Sequence, residues 1–201
     1  MSIPFLTALK VAFLPGSGWV SAGKGEPNFW SVLLMQTVPM ALVPAVCWYI
    51  GTSQIGWTIG DQTMRLTAES ALAICVLFFL AMVAGVLFLG FMVRWMSTSY
   101  GRESDYATSF ALISYTATPF FLGGVIGLFP SLWFDLLAGT AIGCYCVYLL
   151  YLGVSPMMKV RPERGFLYAS AVFAVALVSI VGLLTATALL WEVGPAPEYR
   201  Y

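Results

Sequence analysis

From Phe166 to Trp191 the chain runs without one charged residue. A helix of that length, rising about 1.5 Å per residue, crosses the roughly 30 Å hydrocarbon core of a bilayer. A helix that is apolar on every side belongs in a large protein core or in a membrane. Composition decides between the two. Of 201 residues, 60% are hydrophobic and only 9% charged, where a soluble domain carries about 25% charged residues. Too few charges remain to cover a water-facing surface, so the chain belongs in a membrane.

Four further stretches have the same character. Phe29–Ile50 holds Pro39 and Pro44, and Ala71–Val93 is uncharged between Glu69 and Arg94. Ala107–Phe129 holds Pro119, and a fourth begins after Pro130 and ends near Gly153. The expectation is an all-α integral membrane protein, a bundle of five transmembrane helices forming one domain over 29–193. Residues 1–28 precede it as a short N-terminal segment, and 194–201 follow as a tail. The tight turn Phe129-Pro130-Ser131 makes the third and fourth spans an antiparallel hairpin.

Basic residues orient the bundle. With five spans, Lys10, Lys24, Arg94, Arg102, Lys159, Arg161 and Arg164 fall on one side, and Arg65 and Arg200 on the other. Short loops rich in lysine and arginine stay in the cytoplasm. The N-terminus is thus expected to be cytoplasmic and the C-terminus periplasmic. Trp30, Trp48, Trp57, Trp95, Trp133 and Trp191 stand near span ends, where interfacial aromatics collect. The first charge, Lys10, sits inside an apolar stretch with no basic region before it, unlike a signal peptide. Phe5, Leu6, Leu9 and Phe13 recur at helical spacing before Pro15, the pattern of a short helix lying in the cytoplasmic interface.

The same inventory excludes much chemistry. Histidine is absent, which removes histidine-dependent triads and zinc-protease motifs. A net charge of zero leaves no electrostatic footprint for nucleic acid. Cys47, Cys75, Cys144 and Cys146 lie in apolar runs and read as small packing thiols, with a Cys47–Cys75 bridge across the first outer loop as the residual alternative. Gly51-Thr-Ser-Gln-Ile-Gly-Trp-Thr58 imitates a phosphate-binding loop but has Trp57 where the lysine belongs. It reads as a glycine-rich turn with an interfacial tryptophan. Thr58-Ile59-Gly60-Asp61 falls one glycine short of an intramembrane aspartyl protease motif and has no second aspartate motif to match. No cofactor, metal or nucleotide site is expected.

Some residues remain as candidates. Asp135 is the one acidic residue inside a span. It is either an anion at a helix N-terminus or the outer mouth of a proton or cation pathway, with Arg65 the partner to examine first. Pro119 cannot donate to the carbonyl of Tyr115 and should kink the third span. With Pro39, Pro44, Gln36 and Thr37 bending the first span, a cavity between the two is a further expectation. Gly123 and Gly127, then Gly139 and Gly143, give small residues at four-residue spacing for close helix contact. Packing within the bundle is the first use for such faces, pairing between subunits the second. Arg94, Lys159 and Arg161 could contact lipid head groups at the cytoplasmic surface.

Three strings carry a resemblance: Ile50-Gly-Thr-Ser-Gln-Ile-Gly-Trp57, Tyr115-Thr-Ala-Thr-Pro119-Phe-Phe-Leu and Tyr148-Leu-Leu-Tyr-Leu-Gly153. With Phe13-Leu-Pro15 and Trp19 at the start, the chain resembles the Yip family of membrane proteins, and within it the bacterial inner-membrane members. The resemblance implies five transmembrane helices, a cytoplasmic N-terminus and a multi-pass place in the bacterial inner membrane. Eukaryotic Yip proteins bind Rab-type GTPases, but their D-L-Y-G-P motif is missing from this sequence. The functional expectation is a non-enzymatic scaffold or accessory subunit, in contact with lipid, with other membrane proteins or with itself. The alternative is a small transporter or channel component with a polar path near Pro119 and Asp135. An enzyme acting on lipids ranks third.

Overall fold

The computed structural model describes residues 3–59, 62–100, 103–193 and 197–200. Gly60, Asp61 and Arg102, which entered the motif and charge arguments above, lie outside the described residues. Five helical stretches are long and apolar enough to cross a membrane: Phe29–Ile55, Ala68–Tyr100, Tyr106–Leu128, Leu132–Met158 and Pro162–Leu189. They are called the first to fifth spans below. Lys24, Arg94, Lys159 and Arg161 gather at one end, here the basic end. The other end carries a small sheet.

The third span is the axis of the bundle. Every residue from Ser109 to Thr116 is buried, and Phe110, Ala111, Leu112 and Phe121 join Leu149 and Val154 of the fourth span in one core. Its sequence fits that place. Ser109, Ser114, Thr116 and Thr118 would be unfavourable against lipid, but are accommodated where protein surrounds them. Gly90 of the second span lets Phe110 approach closely, since a Cβ there would lie 3.0 Å from the Phe110 Cα. The fifth span is peripheral. Only its basic-end part, with Tyr168, Ala169 and Val172, is buried, and Tyr168 stacks on Tyr100 at 4.8 Å. Farther along, Val178, Val181 and Leu184 are exposed, as residues facing acyl chains are.

The first span does not stop at Ile50. It continues as a π-helical turn, Gly51–Ile55, so the expected glycine turn is in fact helix. The chain leaves that helix at Gly56, whose φ of +82° is a left-handed conformation that glycine adopts without strain. Two strands follow, β1 (Trp57–Ile59) and β2 (Gln62–Leu66), paired antiparallel. A third, β3 (Tyr199–Arg200), pairs with β2 so that Arg65 faces Arg200 in register. The C-terminal residues are therefore tied to the first loop, with Arg200 Nη2 donating to the Ser53 carbonyl at 2.9 Å.

Two helices precede the first span where the spacing predicts one: α1 (Pro4–Phe13) and α2 (Pro15–Lys24). Each has proline in its first turn, where the missing N–H costs nothing. Both pack on the bundle, burying Ala8, Val11, Trp19 and Ala22.

All four cysteines are free thiols, including Cys47 and Cys75. Only Cys75 is fully buried, and Cys144 is exposed on the fourth span, so packing describes the first better than the second.

Candidate functional site

Polar side chains in the interior collect where the first and third spans both lose regular helix. In the first span the short helix Phe29–Val32 widens into a π-helical turn, Leu33–Thr37, closed by Val38 N–H donating to the Leu33 carbonyl. Pro39, in the first turn of Val38–Ile50, has no N–H to offer the preceding turn. A wider turn absorbs that loss. It also carries Gln36 and Thr37 inward, where both are fully buried.

On the facing side the third span kinks before Pro119, at Ala117, with Ala117 N–H donating to the Ile113 carbonyl and the Ala117 carbonyl accepting from Phe121 N–H. The helix Tyr106–Thr116 ends at Ala117, and a new one, Thr118–Gly123, begins with Pro119 in its first turn. A 3₁₀ stretch, Gly124–Leu128, completes the span. Ser114 and Thr118 flank the kink, both fully buried.

The two defects meet. Gln36 Nε2 donates to Thr118 Oγ1 at 2.9 Å, and the Thr37 and Ser114 hydroxyls are 2.8 Å apart. Thr118 Oγ1 in turn donates to the Ser114 carbonyl at 3.2 Å, while Thr37 Oγ1 reaches the Val32 carbonyl at 3.3 Å. Interhelical hydrogen bonds in membranes average about 0.6 kcal/mol and reach about 1.7. The seam thus fixes register more than it supplies stability. Gln36 Oε1 finds no donor among the described residues.

Both ends of the seam are covered. Toward the sheet end, Gly124 seats Pro44, Gly127 seats the Trp48 indole, and Gly51 meets the Gly127 carbonyl. A Cβ on Gly127 would lie 2.7 Å from the indole Cδ1. Toward the basic end, Phe29 packs on Phe110 at 5.0 Å and on Tyr106 at 5.3 Å. The cavity expected between the bent spans is here a contact, bridged by the Gln36–Thr118 and Thr37–Ser114 side-chain pairs, with Gln36 Oε1 the acceptor left without a donor among the described residues.

The other candidates fall elsewhere. Asp135 is in the first turn of the fourth span, where its Oδ2 accepts the Ser131 N–H at 3.1 Å. A carboxylate reaching back to the start of its own helix also favours the N-terminal dipole. Arg65 turns to its own loop, its Nε donating to the Ile55 carbonyl at 3.2 Å. The two glycine pairs differ. Gly123 abuts Ile142 of the fourth span and Gly127 abuts Trp48, whereas Gly139 and Gly143 have nothing within 4 Å. Arg94 lines a cavity of about 290 Å³ with Phe91, Trp95 and Glu103. Lys159 lines a separate one of about 400 Å³ with Glu26 and Asp105, and Arg161 lies just before the fifth span. Arg94 and Lys159 thus line separate cavities. Trp19 and Tyr145, whose hydroxyl donates to the Ala12 carbonyl at 2.7 Å, are structural residues that reading by composition passes over. The signal was Gly18-Trp19 in the turn of helix that follows Pro15, which an apolar count does not weigh.

Comparison with known proteins agrees with the architecture. The Yip1 domain matches residues 9–183. Inner membrane protein YohC of Escherichia coli K12 is 38% identical over 156 residues, covering 77% of this chain and 80% of that protein. The YohC of E. coli O6:H1 strain CFT073 matches to the same extent. No solved structure matches the chain. With five bilayer-length helices and a family match over most of its residues, the chain belongs to the Yip1-domain family of membrane proteins, as a homologue of bacterial inner-membrane members.

Proposed function

We propose that this protein is a non-enzymatic scaffold or accessory subunit of the inner membrane, its basic end in the cytoplasm. The observation that carries the reading is the closed seam. Gln36, Thr37, Ser114 and Thr118, polar groups suited to line a path, are fully buried and bonded to one another. By contrast, Gly139 and Gly143 are small residues with open space in front of them. Small residues let helix backbones approach closely, so this face suits a helix from another membrane protein or a second copy.

Two experiments, one on the reconstituted protein and one in native membranes, test this. In liposomes, wild type and Asp135→Asn should hold a proton or potassium gradient equally well. A leak that changes with the substitution would instead favour transport, with Asp135 at its mouth. In crosslinked native membranes the protein should appear in discrete higher-mass adducts. If it is recovered only as a monomer, the scaffold reading is lost.

A further inference from the structure

The segment Pro4–Lys24 is built as a hairpin. Leu14 breaks the helical path at φ −133° and ψ 64°; its N–H closes the first leg on the Lys10 carbonyl and its carbonyl accepts the Gly18 N–H that opens the second, both at 2.8 Å. The legs touch at Gly18, where a Cβ would lie 2.7 Å from the Val11 Cα.

Contacts with the fourth span give the hairpin its height. At its open end, a Cβ on Gly23 would lie 2.6 Å from the Pro156 carbonyl oxygen, close to the basic end of that span. Trp19 comes next, packed on Gly153. At the tip, the Ala12 carbonyl accepts from Tyr145, the midpoint of Leu132–Met158. From Pro4 to Lys24 the chain therefore descends from the basic end through half the length of the bundle and returns. A ten-residue leg rises about 15 Å, half the hydrocarbon thickness.

The outward surface matches that depth. Phe13 and Leu14 at the tip are 72% and 62% exposed, and Leu6 and Val20 on the legs are 58% and 53%. At mid-bundle height a water-borne partner has no access, and acyl chains are what apolar side chains meet there. The one charge between Pro4 and Lys24 is Lys10, whose four-carbon stem can carry its ammonium toward the head groups.

We propose that this hairpin is a single-leaflet insert, and that it makes the protein sensitive to membrane curvature. Two helices, each about 10 Å across, widen the bundle in the leaflet at the basic end and leave the opposite leaflet unchanged. The protein then favours membrane in which that leaflet is convex. The proposal rests on the hairpin's geometry and stands whether or not the scaffold reading does.

The test uses the full chain in phosphatidylcholine and phosphatidylglycerol membranes. In a variant whose four cysteines are replaced, a spin label at Leu14→Cys is compared with labels at Val178→Cys, on the exposed fifth span, and Arg161→Cys, at the basic end. The Leu14 label should show the oxygen and nickel-chelate accessibility of the Val178 label. Accessibility like that of Arg161 would overturn the insert and the curvature claim together. Nanotubes pulled from giant vesicles then read shape preference in the unmodified protein. With the basic end facing outward, enrichment on the tube should be about two-fold or more, and with it facing inward the protein should be depleted. Equal sorting in both orientations would overturn the curvature claim.

Discussion

Replacing Trp19 by alanine should destabilise the protein by about 3 kcal/mol, the low end of the usual range for deleting a buried aromatic. Trp19 is 2% exposed and lies on Gly153, so its removal leaves a void between α2 and the fourth span. The low end is expected because the Trp19 Nε1 has no acceptor among the described residues. Truncation therefore also removes an unmet donor, which offsets part of the loss. A thermal melt in detergent measures the effect. Alongside it, limited proteolysis should cut the N-terminal segment more readily while the five spans stay intact. If the melt were unchanged, α1 and α2 would be appendages and not part of the packed structure.

The second large effect is expected at Gly127. A leucine there must enter the space held by the Trp48 indole, and the neighbouring contacts at Gly51 and Gly124 involve backbone and a proline ring, which cannot rotate away. Overpacking of this kind costs about 1–3 kcal/mol, sometimes more, and should pry the first span from the third. Gly143→Leu is the matched comparison. Nothing lies within 4 Å of that position, so the isolated protein should melt within about 0.5 kcal/mol of wild type. Equal losses at the two glycines would mean that the bundle packs differently from the structure described here.

That pair of glycines also shows where sequence reading stops. Gly123–Gly127 and Gly139–Gly143 have the same spacing, and spacing states only that two small residues share a helix face. Which neighbour meets that face depends on how the helices are arranged, and here one pair is packed and the other open. The spans themselves were legible, because an uncharged run of bilayer length has few other solutions. Pro119 announced a defect in the third span, and Gln36 and Thr37 announced polarity in the first. Their hydrogen bonding could not be read, because Gln36 and Thr118 are 82 residues apart and their meeting depends on how the two spans pack. The small sheet was hidden for a similar reason: β3 joins β2 from the far end of the chain. Asp135 was legible as an alternative, and the Ser131 contact adds weight to its structural role.

A sealed scaffold and an open path differ in whether water reaches the polar seam. The most direct measurement is the reactivity of a cysteine at Thr118, in a variant whose four native cysteines are replaced, toward a charged thiol reagent applied to each side of the membrane in turn. The fully buried position predicts no labelling from either side in the native bilayer and labelling after denaturation. Modification of the folded protein from either side would contradict a sealed scaffold and reveal a water-filled path through the bundle.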